Sequence, residues 1–212
     1  MFEEKETYPI ALAIAHHIME GATWQEAREI VAEDVVNHSQ WPNADEIEST
    51  LRSELYFLDP DHPEILQTWR KLALWVMQRI DFPLYLTGSV LNGSATVYTN
   101  LRLATFTDDT KAVEIALMQS GFDYEVIEPE IAKPQAQIAY GWLIDIPSGC
   151  LFLKKDKYLR KVGVRLEVFS ERDLFIHRYK KAPDKYQCAL EANGRISIDE
   201  LKRLINTPKG II

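Results

Sequence analysis

One stretch of the sequence, LTGSVLNGSATVYTNLRLATF at residues 86–106, constrains the fold more than any other. It places a short polar segment, which contains Gly88, Ser89 and Gly93, between two apolar runs that are typical of β-strands. A turn of this kind can simply link a strand to a helix, or it can bring backbone and a hydroxyl group close to a phosphate. At the level of the residues, both interpretations of Gly88 and Ser89 stay open.

The residues before and after this stretch differ in their periodicity. In the first part of the chain, apolar residues recur at helical spacing, and TWQE at Thr23 and NADE at Asn43 are typical helix starts. After Phe82, short apolar runs alternate with helical segments. We therefore predict a helical N-terminal region at residues 1–80 and an α/β or α+β domain at residues 81–212. No linker rich in Pro, Gly or Ser separates the two parts, which favours one compact body.

The later part of the chain contains a predicted hairpin and two predicted helix starts. AQIAYGWLIDI and CLFLKK flank the turn PSG at residues 147–149, and VGVRLEVF is a further strand. Asp145 is predicted to close the hairpin, with an approach to the site around Gly88 as the alternative. Ser170 is predicted to cap a helix that runs toward Lys181, and Ser197 with Glu200 is predicted to cap the last helix.

Composition narrows the choice of partners. The net charge is −8, and the basic segment LKKDKYLRKVGVR is better explained as a solvated hairpin, so a polynucleotide is not the expected partner. Cys150 and Cys188 lack the spacing of metal ligands and are expected to be reduced. No signal peptide and no membrane-spanning run are present in the sequence, so we expect a cytoplasmic protein without a membrane partner.

The motif TGSVLNG followed by TNLRL resembles the nucleotidyltransferase superfamily, whose palm domain is shared with DNA polymerase beta. In that superfamily a Gly-Ser pair ends a strand, a second glycine often follows, and the next strand carries acids in the pattern Ser-Asp-Ile-Asp-Leu. At the same offsets this sequence has Gly88, Ser89 and Gly93, and then Asn100 and Arg102 in place of the two acids. The segment RLEVFSERDLFIHRYKKA is similar to the closing strand and helix of the superfamily.

The resemblance implies both a fold and a set of site residues. The stretch FTDDTKAVEIALMQSGFDYE adds a similarity to a group of bacterial nucleotidyltransferase-like proteins that have a helical N-terminal region. The implied fold is α+β, with the helical region packed on a nucleotidyltransferase-like mixed β-sheet with flanking helices. Glu167 is the implied third acid, and Gly88, Ser89, Gly93 and Arg102 are the residues implied to bind a nucleotide.

Positions 100 and 102 decide whether the chemistry of that superfamily is accessible to this chain. Nucleotidyl transfer uses two metal ions to hold the triphosphate and to neutralise the developing charge. Side chains two positions apart in a strand share a face, so a pair of acids there would converge on the metals. The side chains of Asn100 and Arg102 would still converge on this point, but they do not carry the negative charge of the acids. The formal charges of Asn100, Arg102 and Glu167 sum to zero. We therefore predict no metal ion in this site.

Arg102 has two possible roles that follow from its position. If Arg102 and Glu167 both face inward from neighbouring strands, they form an ion pair that replaces the metal as the local source of positive charge, and we favour this arrangement. In the alternative, the guanidinium of Arg102 binds a phosphate directly.

These residues favour a protein without catalytic activity, which binds a nucleotide weakly or contacts a protein partner, and which needs no cofactor. The alternative is an active nucleotidyltransferase that transfers NMP from an NTP to a small molecule, protein or RNA. That alternative requires Mg²⁺ with the NTP, held by Glu167 together with Asp108, Asp109 or Asp145. The more ordinary role of Asp108 and Asp109 is to start the helix that follows them.

Overall fold

The computed structural model describes residues 7–34, 41–130, 134–146, 161–176 and 182–207. Its α-helices are α1 (Tyr8–Met19), α2 (Trp24–Asp34), α3 (Ala44–Leu58), α4 (His62–Arg79), α5 (Gly88–Asn92), α6 (Thr110–Ser120), α7 (Asp173–Ile176) and α8 (Ile198–Asn206). Its strands are β1 (Tyr85–Thr87), β2 (Leu101–Phe106), β3 (Tyr124–Ile127), β4 (Ile138–Asp145), β5 (Lys161–Phe169) and β6 (Arg195–Ser197). A short 3-10 helix spans Glu191–Asn193. The described residues do not include Cys150, the turn PSG, the predicted strand CLFLKK or the residues that follow α7 up to Lys181.

Local hydrogen bonds at the helix starts explain why these segments are helical. Before α2, the backbone N–H of Thr23 donates to Glu26 Oε2 at 2.8 Å, and the backbone N–H of Glu26 donates to Thr23 Oγ1 at 3.2 Å. Asn43 forms the same reciprocal arrangement before α3, and Ser197 forms it before α8. These pairs satisfy N–H groups that have no partner within the helix, and they confirm the predicted helix starts.

The strands form one mixed sheet in the order β3-β4-β5-β2-β1-β6. Strands β2 and β5 pair in parallel, and every other pair of neighbours in this sheet is antiparallel. The predicted α+β class is therefore confirmed. Strand β4 is the strand that we predicted to open a hairpin. It pairs with β5, which contains VGVRLEVF, and Asp145 of β4 lies opposite Lys161 of β5.

The two faces of the sheet have different surroundings. Helices α4, α6 and α8 cover one face, where they share a single apolar core with buried strand residues such as Leu103, Tyr140 and Leu166. Because successive side chains along a strand point to opposite faces, the residues directly before and after each of these core residues point to the other face. We call that second face the arginine face, and we define it by Arg102 on β2 and by Arg165 and Glu167 on β5.

The helices of the N-terminal region belong to three apolar clusters. Residues of α1, α2 and α3 pack in small clusters of their own, whereas α4 contributes Trp69 and Val76 to the core beneath the sheet. The buried Arg52 of α3 joins the two parts through Asp184, at 2.8 and 2.9 Å. The expected boundary near residue 80 stays a prediction, although the apolar clusters separate between α3 and α4. No helix in the described ranges has the length and apolar character needed to cross a membrane.

Candidate functional site

The Gly-Ser turn connects β1 to the short helix α5. Strand β1 ends at Thr87, and Gly88 begins α5 with a φ of +70°, a conformation that side chains disfavour. A Cβ atom on Gly88 would lie 3.0 Å from Cδ of Arg102, so the absence of a side chain lets Arg102 cross directly over the turn. Gly93, with a φ of +91°, ends α5, and its N–H donates to the carbonyl of Ser89 at 3.0 Å. Both glycines therefore have a backbone reason to be present.

Buried side chains on α4 hold α5 in place. Arg70 donates to the carbonyls of Val90 at 3.2 Å and Leu91 at 3.1 Å, and its guanidinium also contacts Glu191 at 2.6 Å. The ring of His62 lies 3.0 Å from the carbonyl of Gly93. These contacts occupy carbonyls at the C-terminal end of α5, which cannot bond within so short a helix. The contacts therefore hold the C-terminal end of α5 against α4.

The register of β2 and β5 places the expected site residues on one face. Arg102 lies opposite Arg165, and Ala104 lies opposite Glu167, so Arg102 and Glu167 project from the same side of neighbouring strands. The prediction that these two side chains share a face is confirmed. The contact between Gly88 and Arg102 also places the Gly-Ser turn beside this face, as the sequence suggested.

The predicted ion pair between Arg102 and Glu167 is replaced by a larger network. Arg102 pairs with Glu130, which follows β3, and Glu167 pairs with Arg165 at 3.2 Å. The N–H of Glu130 donates to Glu167 Oε1 at 3.1 Å, and the carboxylate of Glu130 lies 3.8 Å from Arg165 Nε. Two arginines and two glutamates therefore alternate on the arginine face, and their formal charges cancel.

Asn100 makes a different contact from the one expected of a metal ligand. Its Oδ1 accepts a hydrogen bond from the backbone N–H of Gly163 on β5 at 3.2 Å. A Cβ atom on Gly163 would lie 2.7 Å from that oxygen, so the glycine makes room for the amide. The amide oxygen of Asn100 is thus used to join the two parallel strands where their pairing begins.

Asp108 and Asp109 have hydrogen-bond partners outside this network. Asp109 caps α6, because its Oδ1 accepts from the N–H of Ala112 at 3.0 Å, as predicted. Asp108 does not share that role: it accepts from Ser170 Oγ at 2.8 Å and from the N–H of Glu171 at 3.4 Å. Ser170 Oγ therefore bonds to Asp108, and α7 begins without the predicted serine cap.

Hydrogen bonding has a consequence for the acidity of Asp108. The bond from Ser170 Oγ, followed by the bond from the N–H of Glu171, holds the pKa of Asp108 below its ordinary value of 3.8.

Asp145, at the end of β4, shares the arginine face but lies four residues along the strand from the level of Arg165. Four residues correspond to about 13 Å, which separates Asp145 from the network.

The charge balance limits what this face can hold. Within the described ranges, no group of three or more His, Cys, Asp or Glu side chains has an arrangement that could hold a metal ion. The two acids of the network, Glu130 and Glu167, each contact a guanidinium group. The arrangement instead offers N–H donors in forked pairs, which suit the oxygens of a phosphate or a carboxylate.

Two residues of the site, Glu130 and Arg165, were not identified from the sequence. Arg165 could have been found, since it precedes Glu167 by two positions and period-two alternation places both on one face. No local pattern marks Glu130, which meets Arg102 across 28 residues of chain.

The class that fold and site define is an α+β protein with a neutral arginine–glutamate network on one face of a mixed sheet. No protein-family model matches this chain, and no curated protein matches it. Functional assignment therefore depends on the geometry around Arg102.

Proposed function

We propose that this chain is a nucleotidyltransferase-fold protein that has lost metal-dependent catalysis and binds a nucleotide weakly. The observation that carries the proposal is the side chain of Arg102, whose Cβ, Cγ and Cδ atoms pack against Gly88 at the turn where the resemblance implies that the phosphates bind. The guanidinium at the end of this side chain supplies the positive charge that a metal ion supplies in an active relative.

The arrangement of strands supports the same interpretation. A strand ends at the Gly-Ser turn, the next strand carries Arg102, and Glu167 lies on the strand beside it. This order and adjacency are what the resemblance implies for the two acid positions and the third acid. Family membership is part of the proposal, since it rests on short motifs and on this arrangement.

The active alternative has less support. It requires Glu167 to share a metal ion with Asp108, Asp109 or Asp145. Asp109 caps α6, Asp108 bonds to Ser170, and Glu167 contacts Arg165. Each carboxylate thus has a local role that does not involve a metal, and we retain the non-catalytic function.

The test is a calorimetric titration of ATP into the protein, once in EDTA and once in Mg²⁺. We expect binding in EDTA that Mg²⁺ does not strengthen, because Arg102 contacts the phosphates without an ion. Arg102→Gln should weaken binding about tenfold, the effect of losing one charge-assisted hydrogen bond. Arg203→Gln, which removes the same charge from the exposed side of α8, is the matched control and should leave the affinity unchanged.

Two results would contradict the proposal. If ATP binds only when Mg²⁺ is present, or if pyrophosphate is released from it, the active alternative is correct. If wild-type protein binds no ATP under either condition, the nucleotide-binding function is wrong.

A further inference from the structure

The arginine face brings two guanidinium groups to the same level of the sheet. Arg102 and Arg165 are register partners on parallel strands, so their side chains leave the sheet side by side. Like charges in neighbouring positions of a sheet repel each other. The pair therefore requires anionic groups close by, and the chain provides Glu130 and Glu167.

The two glutamates are held in different ways. Glu167 belongs to β5, its side chain is only 15% exposed, and it accepts hydrogen bonds from Arg165 and from the N–H of Glu130. Glu130 lies outside the strands, after the end of β3, and its side chain is 44% exposed. Glu167 is thus part of the sheet, whereas Glu130 reaches the arginines from a connecting segment.

Contacts of the connecting segment show how Glu130 is placed. Arg165 donates to the carbonyl of Glu128 at 2.5 Å, and the carboxylate of Glu130 then contacts Arg102. The oxygens of this carboxylate lie where an anionic ligand of the two arginines would place its own oxygens. Arg102, whose side chain is 41% exposed, remains accessible to solvent beside it.

We infer that Arg102 and Arg165 form a metal-independent phosphate site, and that Glu130 is its intramolecular occupant. A nucleoside triphosphate binds when its phosphates displace the carboxylate of Glu130 from the guanidinium groups. This inference rests on the proposed function. It adds Arg165 as a second phosphate-binding residue and Glu130 as a competitor of the phosphates. The competition also predicts that binding to the wild-type protein is weak.

The exposure of the ion pair between Arg102 and Glu130 sets how strongly Glu130 competes with a phosphate. Exposed ion pairs are weak, so removing the charge of Glu130 should strengthen phosphate binding about two- to fivefold. A phosphate group can accept bidentate hydrogen bonds from a guanidinium and carries more charge than a carboxylate, so it is a suitable replacement.

The experiment is a titration in EDTA of ATP, inorganic triphosphate and adenosine into wild type, Glu130→Gln and Glu125→Gln. Glu125 is an exposed residue of β3, so its variant makes the same change in net charge at a position that is not paired with Arg102. We expect Glu130→Gln to bind ATP and triphosphate about two- to fivefold more tightly than wild type. Glu125→Gln should match wild type, and the response to adenosine should be the same in all three proteins.

A second variant tests the role of Arg165. Adding Arg165→Gln to Glu130→Gln should remove the gain in affinity, because one of the two guanidinium groups is lost. If wild type binds ATP and Glu130→Gln binds it no more tightly than Glu125→Gln does, the competitor role of Glu130 is wrong, while the proposed function stands. If no variant binds ATP or triphosphate, both the inference and the proposed function are wrong.

Discussion

The two ends of α5 each meet an arginine–glutamate pair, and the two pairs have opposite environments. At the C-terminal end, Arg70 and Glu191 have side chains that are 1% and 8% exposed. At the N-terminal end, Arg102 and Glu130 are 41% and 44% exposed. The same two residue types thus serve two purposes. The buried pair cannot exchange its partner for water without unfolding, whereas the exposed pair can exchange its partner for another anion.

The largest expected difference between the pairs is in the free energy of unfolding. Glu191→Gln should destabilise the protein by about 3–5 kcal/mol, because it leaves the buried charge of Arg70 without a counter-charge. Glu130→Gln, the matched change in the exposed pair, should cost about 0–1 kcal/mol. Urea denaturation of both variants measures these values. Equal losses in the two variants would mean that exposure does not separate the pairs as we describe.

A smaller effect on stability is expected at Gly88, against which the side chain of Arg102 packs. Gly88→Ala should cost about 1–2 kcal/mol for the left-handed backbone, and it should also weaken ATP binding because the new Cβ meets the Arg102 side chain. Gly121→Ala is the control, since Gly121 has a φ of +76° and no atom within 4 Å of its Cβ position. Denaturation and ATP titration would be measured for both variants. If Gly121→Ala weakens ATP binding as much as Gly88→Ala does, the contact with Arg102 is not the cause.

The smallest expected effect concerns Asp108, which lies outside both pairs. Its pKa is lower in the folded protein than its ordinary value of 3.8, so its charged form adds stability above pH 3.8. That contribution is lost as the pH falls through the lowered pKa of the folded state. Asp108→Asn should therefore be less stable than wild type at neutral pH, and the difference should shrink in acid. Thermal melts between neutral pH and about pH 2 would check this. Ser170→Ala, which removes the main donor, should behave like Asp108→Asn, and a constant difference across this range would contradict the assignment.

Local and long-range features of the molecule differed in how well the sequence revealed them. The helix starts at Thr23 and Asn43 involve residues three positions apart, so a short motif was sufficient to find them. The shared face of Arg102 and Glu167 followed from alternation within each strand together with the expected adjacency of the strands.

The ion pairs could not be found in the same way. Arg70 meets Glu191 across 121 residues and Arg102 meets Glu130 across 28, and no periodicity within either segment specifies these partners. The choice of Glu130 over Glu167 as the partner of Arg102 depends on where the chain leaves β3. That geometry is set by tertiary packing, which a pattern of residue types does not encode.

The parallel pairing of β2 with β5 has a consequence for how the chain forms its sheet. Strand β5 lies between β4 and β2, yet it is the last of the three to be made, and Asn100 and Gly163 are 63 residues apart. A ribosome that adds about 5–20 residues per second needs roughly 3–13 s to make that interval. During this time one edge of β2 has no partner, and an unpaired edge can pair with another chain. The nascent protein is therefore most prone to aggregation just before β5 emerges, and slow synthesis of that interval would lower the yield of folded protein.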